Sequence, residues 1–291
     1  MIPGLFALAA LSAPQGAQAE FSVGPTVGFL SLQPGEAAVG TTRVKLEGES
    51  RSRFTVEVED IAQRTDGGLS YTPPARSRFS ASSWIEVSPR SFSARPNRVQ
   101  PIEYLVRVPE EAEPGDHVTS LTIKRRSPAG RAGVTAIQAI SVRLTVRAAG
   151  RLSEGVAVES LDRPEVAGKG PISVGAVLRN TGNVRLDFDR LNKGSLAIVD
   201  DGEGVARAPL RGVLFPGRTR YVELAWEDPP LLGHPEVEVA VATKRGTVKR
   251  AEAFWLVPWR QGAALTLLAL AVLVVATGRR RRRLAGAAKT G

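Results

Sequence analysis

Two histidines, His117 and His234, are the only imidazoles in a chain of 291 residues that has no cysteine. Thiol catalysis and cysteine metal sites are therefore excluded. No HExxH, GxSxG, Walker-type or GxGxxG spacing accompanies the histidines, so neither belongs to a recognisable catalytic set. His117, in "GDHVTS", reads as a solvated strand-end residue beside a turn. The acidic pairs Glu110-Glu111 and Asp200-Asp201 invite thoughts of glycoside hydrolysis or calcium. Hydrolysis needs two carboxylates at a fixed separation across a cleft, and calcium needs several oxygens, so adjacent acids in turns serve neither. The expectation is a protein without catalysis, metal or cofactor. Recognition chemistry has one better grouping. Tyr71 in "GGLSYTPPARSRF" lies beside Arg76 and Arg78 on a long polar segment, where an aromatic face with cations could meet a glycan or an acidic partner. A loop with solvated arginines is the plainer reading of the same residues.

The elements that would position these groups read as strands. In "RFTVEVED", Phe54, Val56 and Val58 alternate with Thr55, Glu57 and Glu59. In "AISVRLTVR", Ile140, Val142, Leu144 and Val146 alternate with Ser141, Arg143, Thr145 and Arg147. Further strands are expected in "IEYLVRV", "HVTSLTIK", "ISVGAVLRN", "RYVELAW", "VEVAVATK" and "VKRAEAFWL", most flanked by Gly, Pro, Asn or Asp. Trp84, in "SSWIEVSP", belongs to a core, with Ile85 and Val87 on the buried face. The fold class is all-β, with two immunoglobulin-like or pilus-chaperone-like sandwiches of about 100 residues each. They occupy residues 20–149 and 150–257, divided at the polar "RLSEG". Each half sets Pro-Gly after an apolar strand, in "LQPGE" and "LFPGR", which suits a type II turn. Two independent hairpins and a distant internal duplication explain that shared phrase equally well.

The net charge is +10, yet Arg279, Arg280, Arg281, Arg282, Arg283 and Lys289 supply six of it, leaving an ordinary +4 elsewhere. The arginine block follows "LTLLALAVLVVATG". Its eight Leu and Val residues favour membrane insertion by roughly 0.3 to 0.6 kcal/mol each, whereas each arginine at mid-bilayer costs about 2.5 to 3.5 kcal/mol. A helix over residues 258–278 must stop at the block, which then anchors in the headgroups. Trp255 and Trp259 fall at the opposite interface. No basic cluster with interleaved aromatics occurs elsewhere, so nucleic acid is not the expected partner. Residues 1–19 end in Ala17-Gln18-Ala19, a signal-peptidase pattern, although a positive n-region is missing. The topology expected is a single-pass protein of the cell membrane, with residues 20–257 outside and a basic tail, residues 279–291, in the cytoplasm.

Pro34-Gly35, Asp66-Gly67-Gly68 with Tyr71, and Val108-Pro109 with Pro114-Gly115 stand within residues 21–126. In that order they resemble the peptidoglycan-binding domain of the WxL-interacting protein family, a family of bacterial surface proteins. The second half, with "VGAVLRNTGNVRLDF", "VLFPGRTR" and "PPLLGHPEVEVAV", is similar to the immunoglobulin-like domain that follows in such proteins. The resemblance implies a wall-facing adaptor that binds peptidoglycan through one sandwich and a surface protein through the other. It carries over no individual glycan contact. A chaperone-like module that lends or accepts a strand during assembly of surface proteins or fibres is the alternative.

Overall fold

The computed structural model describes residues 21–47, 51–74, 77–126, 137–168, 170–258, 267, 270–275 and 277. Contacts divide the chain into one unit of Met1–Ala62 with Ser70–Arg151, and another of Gln63–Leu69 with Leu152–Gly291.

Among the described residues the first unit has ten strands: β1 (Phe21–Gly24), β2 (Val27–Leu32), β3 (Ala37–Leu46), β4 (Ser52–Gln63), β5 (Leu69–Thr72), β6 (Ile85–Ser88), β7 (Ser91–Ala94), β8 (Val99–Arg107), β9 (Gly115–Arg126) and β10 (Ile137–Ala148). One sheet has the order β1-β3-β8-β6. The other has the order β2-β10-β9-β4-β5, with β7 also paired to β4. The chain crosses from sheet to sheet at Pro25, so β1 pairs antiparallel with β3 while β2 pairs parallel with β10. Between the sheets lie the apolar halves of the alternating strands, among them Val44, Phe54, Ile102, Leu121 and Leu144. Phe54 anchors this core, edge-on to Phe21 and stacked on Phe92, each 5.1 Å away between centroids. A buried aromatic pair of this kind contributes about 0.5 to 1.5 kcal/mol beyond its burial.

Two local features follow directly from residue type. Pro34-Gly35 makes the type II turn, with φ +82° at Gly35 and the Glu36 amide donating to the Gln33 carbonyl at 3.0 Å. Gly40 on β3 faces Tyr104 on β8, and a Cβ there would stand 2.2 Å from the ring. The tyrosine thus covers the bare backbone of a strand glycine, which otherwise packs nothing. Burial pushes the Tyr104 phenol above its usual value.

The second unit adds β11 (Val156–Asp162), β12 (Val166–Ala167), β13 (Ile172–Asn180), β14 (Leu186–Asp187), β15 (Gly194–Asp200), β16 (Glu203–Pro209), β17 (Val213–Leu214), β18 (Thr219–Trp226), β19 (Glu236–Thr243), β20 (Gly246–Ala253) and β21 (Trp255–Leu256). Its main sheets are β11-β13-β18 and β16-β15-β19-β20. Their inner faces enclose Leu178, Leu196, Ile198, Val239 and Phe254. The second Pro-Gly turn also forms, with φ +68° at Gly217. It docks on Asn180, whose carbonyl accepts from the Gly217 amide and whose own amide donates to the Arg218 carbonyl.

The sandwich extends to the end of β21, because Phe254 and Leu256 are each 1 % exposed in its core. Trp255 between them points outward and packs on His234, with centroids 4.0 Å apart. Among the described residues no helix is long and apolar enough to cross a membrane. The expected span lies largely outside the described residues, of which 270–275 are helical and exposed. Trp259, Arg279, Arg280, Arg281, Arg282 and Arg283 lie outside them as well, as do residues 1–19.

Candidate binding edge

β10 alternates over twelve residues and is unequally paired. β9 accompanies it along its whole length, from Ile137 opposite Arg126 to Ala148 opposite Gly115. On its other side β2 begins only at Arg143. The Arg143 amide donates to the Thr26 carbonyl and the Ala149 amide to the Leu32 carbonyl, both at 2.9 Å. Backbone groups alternate in direction along a strand, so odd-numbered residues address this side. The N–H and C=O groups of Ile137, Ala139 and Ser141 continue the same row. Among the described residues no strand pairs with them.

The side chains along this half-edge are suited to an incoming strand. Outward, Ile137 is 59 % exposed and Ala139 is exposed beside it. Inward, Ile140 is only partly buried and packs against the core of the first unit. A strand laid here would place alternate residues over Ile140 and its partners, extending the core by one row. Val27 and Phe29 continue the exposed apolar surface along β2, at 53 % and 45 %. Most other edges carry protection that this half-edge lacks. β11 is bulged between Val158 and Ser160, β16 is bulged opposite Ile198 and Val199, and β20 presents Lys249 and Arg250. Pro73 and Pro74 follow β5, and Pro89 follows β6.

The sheet behind the edge is stiffened by polar contacts. β9 is buried on both faces from Gly115 to Ile123, although it carries Asp116, His117, Thr119, Ser120 and Thr122. Thr119 donates to the Glu59 carbonyl at 2.9 Å, while Thr122 bonds the Glu59 carboxylate and lies 3.1 Å from the Ser141 hydroxyl. Lys124 meets Glu57 at 2.7 Å and Glu59 at 2.9 Å, and these bonds hold its ammonium above the usual lysine value. Asp116, fully buried, takes both arms of Arg147 at 2.6 and 2.9 Å. The guanidinium lies 5.1 Å over the ring of Phe29 on β2, tying the edge strand to β9 through β10.

His117 is not solvated; it is 2 % exposed. The segment before the Ser82–Trp84 turn runs beside β9, with the Val118 amide donating to Phe79 and the Ala81 amide to Val118. That placement sets the Trp84 ring 4.2 Å from the imidazole. Nε2 bonds the Glu113 carbonyl at 2.8 Å, and buried Nδ1 has no partner among the described residues. Trp84 itself is half-buried against the core, with Ile85 and Val87 buried and Glu86 and Ser88 exposed, as the alternation predicts.

The expected glycan platform is not gathered into one site among the described residues. Tyr71 sits on β5, 40 % exposed, and meets no cation among the described residues. Arg78 spends its charge on Glu113 at 2.7 Å and lies 5.2 Å over Phe79. Arg76 lies outside the described residues. Asn180, the last residue of the expected strand "ISVGAVLRN", has a role that the strand pattern did not disclose. Asn180 is fully buried, donates to the Val184 and Leu214 carbonyls at 2.8 and 3.0 Å, and accepts from the Gly182 amide at 2.9 Å. Its signal was an asparagine closing a strand that is otherwise apolar.

No family model matches the chain, and no curated protein matches it. Solved structures similar to it include a chain from a chaperone–tip adhesin complex of CFA/I fimbriae biogenesis, at TM-score 0.47 and 11 % identity over 80 % of this chain and 98 % of that one. The class 5 fimbriae chaperone CfaA is similar at TM-score 0.45 and 9 % identity, over 80 % and 98 % of the two chains. The CupB2 chaperone of Pseudomonas aeruginosa is similar at TM-score 0.38 and 15 % identity, over 81 % and 100 %.

Proposed function

We propose that this protein is a non-catalytic, membrane-anchored surface module that takes up an extended segment of a partner protein as an added strand beside β10. The observation that carries the reading is the row of backbone groups at Ile137, Ala139 and Ser141, left without a strand partner among the described residues. Main-chain hydrogen bonds along such a row supply affinity, and alternate apolar side chains over Ile140 supply selectivity. A wall-glycan adaptor has less support, because Arg78 is already paired and Tyr71 stands without a neighbouring cation contact among the described residues. The single-span topology completes the proposal, with residues 20–257 outside the membrane and residues 279–291 inside.

The test is a photo-crosslinking residue in place of Ile137 in intact cells, with and without Ala139→Pro. The Ala139 amide faces the open side, so proline there removes no bond to β9 and blocks only an added strand. Capture of one discrete surface protein, lost in the proline variant with thermal unfolding unchanged, is the expected outcome. Capture that survives the proline, or no capture by the parent chain, contradicts the proposal.

A further inference from the structure

The second unit carries a concavity of about 340 Å³ on the outer face of β15, β16 and β19. Its size falls in the range of small-ligand sites. It exists because the sheet there is built from small residues. Ser195 and Ala240 stand opposite each other in register, with Gly194 and Ala242 flanking them on the floor. Gly194 has no room for more, since a Cβ would stand 2.7 Å from the Leu210 side chain.

The rim is cationic. Lys193, Arg207 and Arg211 line the concavity and no acidic residue does. None of the three makes an ion pair among the described residues, whereas Lys249 meets Glu238 at 2.6 Å, Arg250 meets Glu252 at 2.7 Å and Arg179 meets Glu159 at 3.3 Å in the same unit. The acids just before Lys193 in sequence bond backbone amides. Asp187 accepts from the Arg190 amide at 3.2 Å and Asp189 from the Gly212 amide at 3.0 Å. Arg207 is aimed, because its Nη2 donates to the buried Ser195 hydroxyl at 2.9 Å. A fork fixed in this way still has donors free for a planar or tetrahedral oxyanion. Phe188 and Pro209 add an apolar flank beside the cations.

We propose that this concavity binds a small ligand carrying a phosphate or carboxylate group on an apolar body. The oxyanion lies between Lys193, Arg207 and Arg211, and the apolar body lies against Phe188 and Pro209. The proposal is independent of strand addition at β10.

Calorimetric titration of the full chain with phenyl phosphate, and separately with benzoate, at low ionic strength tests it. Saturable binding of at least one probe is expected. A response to phenyl phosphate alone identifies the group as phosphate, and a response to benzoate alone as carboxylate. Arg207→Met weakens binding at least tenfold, while Lys249→Met, an equal loss of charge outside the concavity, leaves affinity within about twofold. Ala242→Leu, which fills the floor without changing charge, also abolishes binding. No saturable binding of either probe overturns the proposal. So does an equal effect of Arg207→Met and Lys249→Met, which would mean diffuse charge attraction, or inorganic phosphate binding as tightly as phenyl phosphate.

Discussion

Gly40→Ala places a methyl group where the Tyr104 ring already lies. The new Cβ stands 2.2 Å from Cζ and 2.4 Å from both Cε2 and Oη, against an ordinary contact of 3.4 Å or more. The ring must withdraw by about 1 Å, yet Tyr104 is 6 % exposed and packed within the core of the first unit. Overpacking of this kind costs roughly 1 to 3 kcal/mol. Alanine recovers about 0.5 to 1 kcal/mol over glycine in a strand, and with the ring held in the core the overpacking falls in the upper half of its range, so the net destabilisation is about 1 to 2 kcal/mol. Amide exchange of peptides covering Ala37–Leu46 and Val99–Arg107 reads this directly, as a roughly 5- to 30-fold acceleration. In a Tyr104→Leu background the same substitution is neutral or slightly stabilising, because the ring is gone. Unchanged exchange in the single variant, or an undiminished penalty in the double variant, would show that the Tyr104 ring does not set the limit at Gly40.

Other expectations follow from the same contacts. Gly175→Ala meets Tyr221 as closely, at 2.2 Å from Oη, 2.4 Å from Cζ and 2.6 Å from Cε2, but this ring is partly exposed and swings away into solvent, so stability by thermal unfolding stays within about 0.5 kcal/mol. Tyr104 has a raised folded-state value, so its contribution is complete below the unfolded phenol value of about 10 and is lost as pH rises beyond it. Thermal unfolding from pH 8 to 11 should show a fall above about pH 10 that Tyr104→Phe flattens. Arg147→Met takes two charge-assisted bonds from the fully buried Asp116 and destabilises by about 3 to 5 kcal/mol in denaturant titration, more than Asp116→Asn, which leaves a partly exposed guanidinium that water can reach. Asn180→Ala strips partners from two carbonyls and one amide, costing about 2 to 3 kcal/mol and accelerating exchange around Ile172–Asn180.

The strands whose one face is apolar were legible from residue types. Phe54 and Val56 on β4, Val142 to Val146 on β10, and Val237 to Val241 on β19 alternate because only one face of each meets a core. β9 was half legible: its strand was clear in "HVTSLTIK", but nothing in the segment shows that Thr119, Ser120 and Thr122 are all buried. Thr119 and Thr122 find partners in Glu59 and Ser141 on the neighbouring strands while Ser120 bonds Thr122, and the cross-strand pairing is a property of the sheet, not of the segment. His117 was misread for the same reason, since the segment before Trp84 that covers it lies far off in sequence. The half-edge of β10 depends on where β2 starts in a parallel pairing, a register with no local signature. The cationic concavity depends on small residues of β15 and β19 meeting arginines of another strand and loop, and "GSLAIVD" alone suggests only a buried strand.

Amide exchange resolved residue by residue along β10 in the free protein reads the open half-edge itself. Gln138, Ile140 and Val142, bonded toward β9, should exchange slowly, while Ile137, Ala139 and Ser141 exchange rapidly and become protected only when a partner segment is bound. Protection of Ile137, Ala139 and Ser141 equal to that of their neighbours in the free protein would show that the edge is already occupied, and would contradict the account.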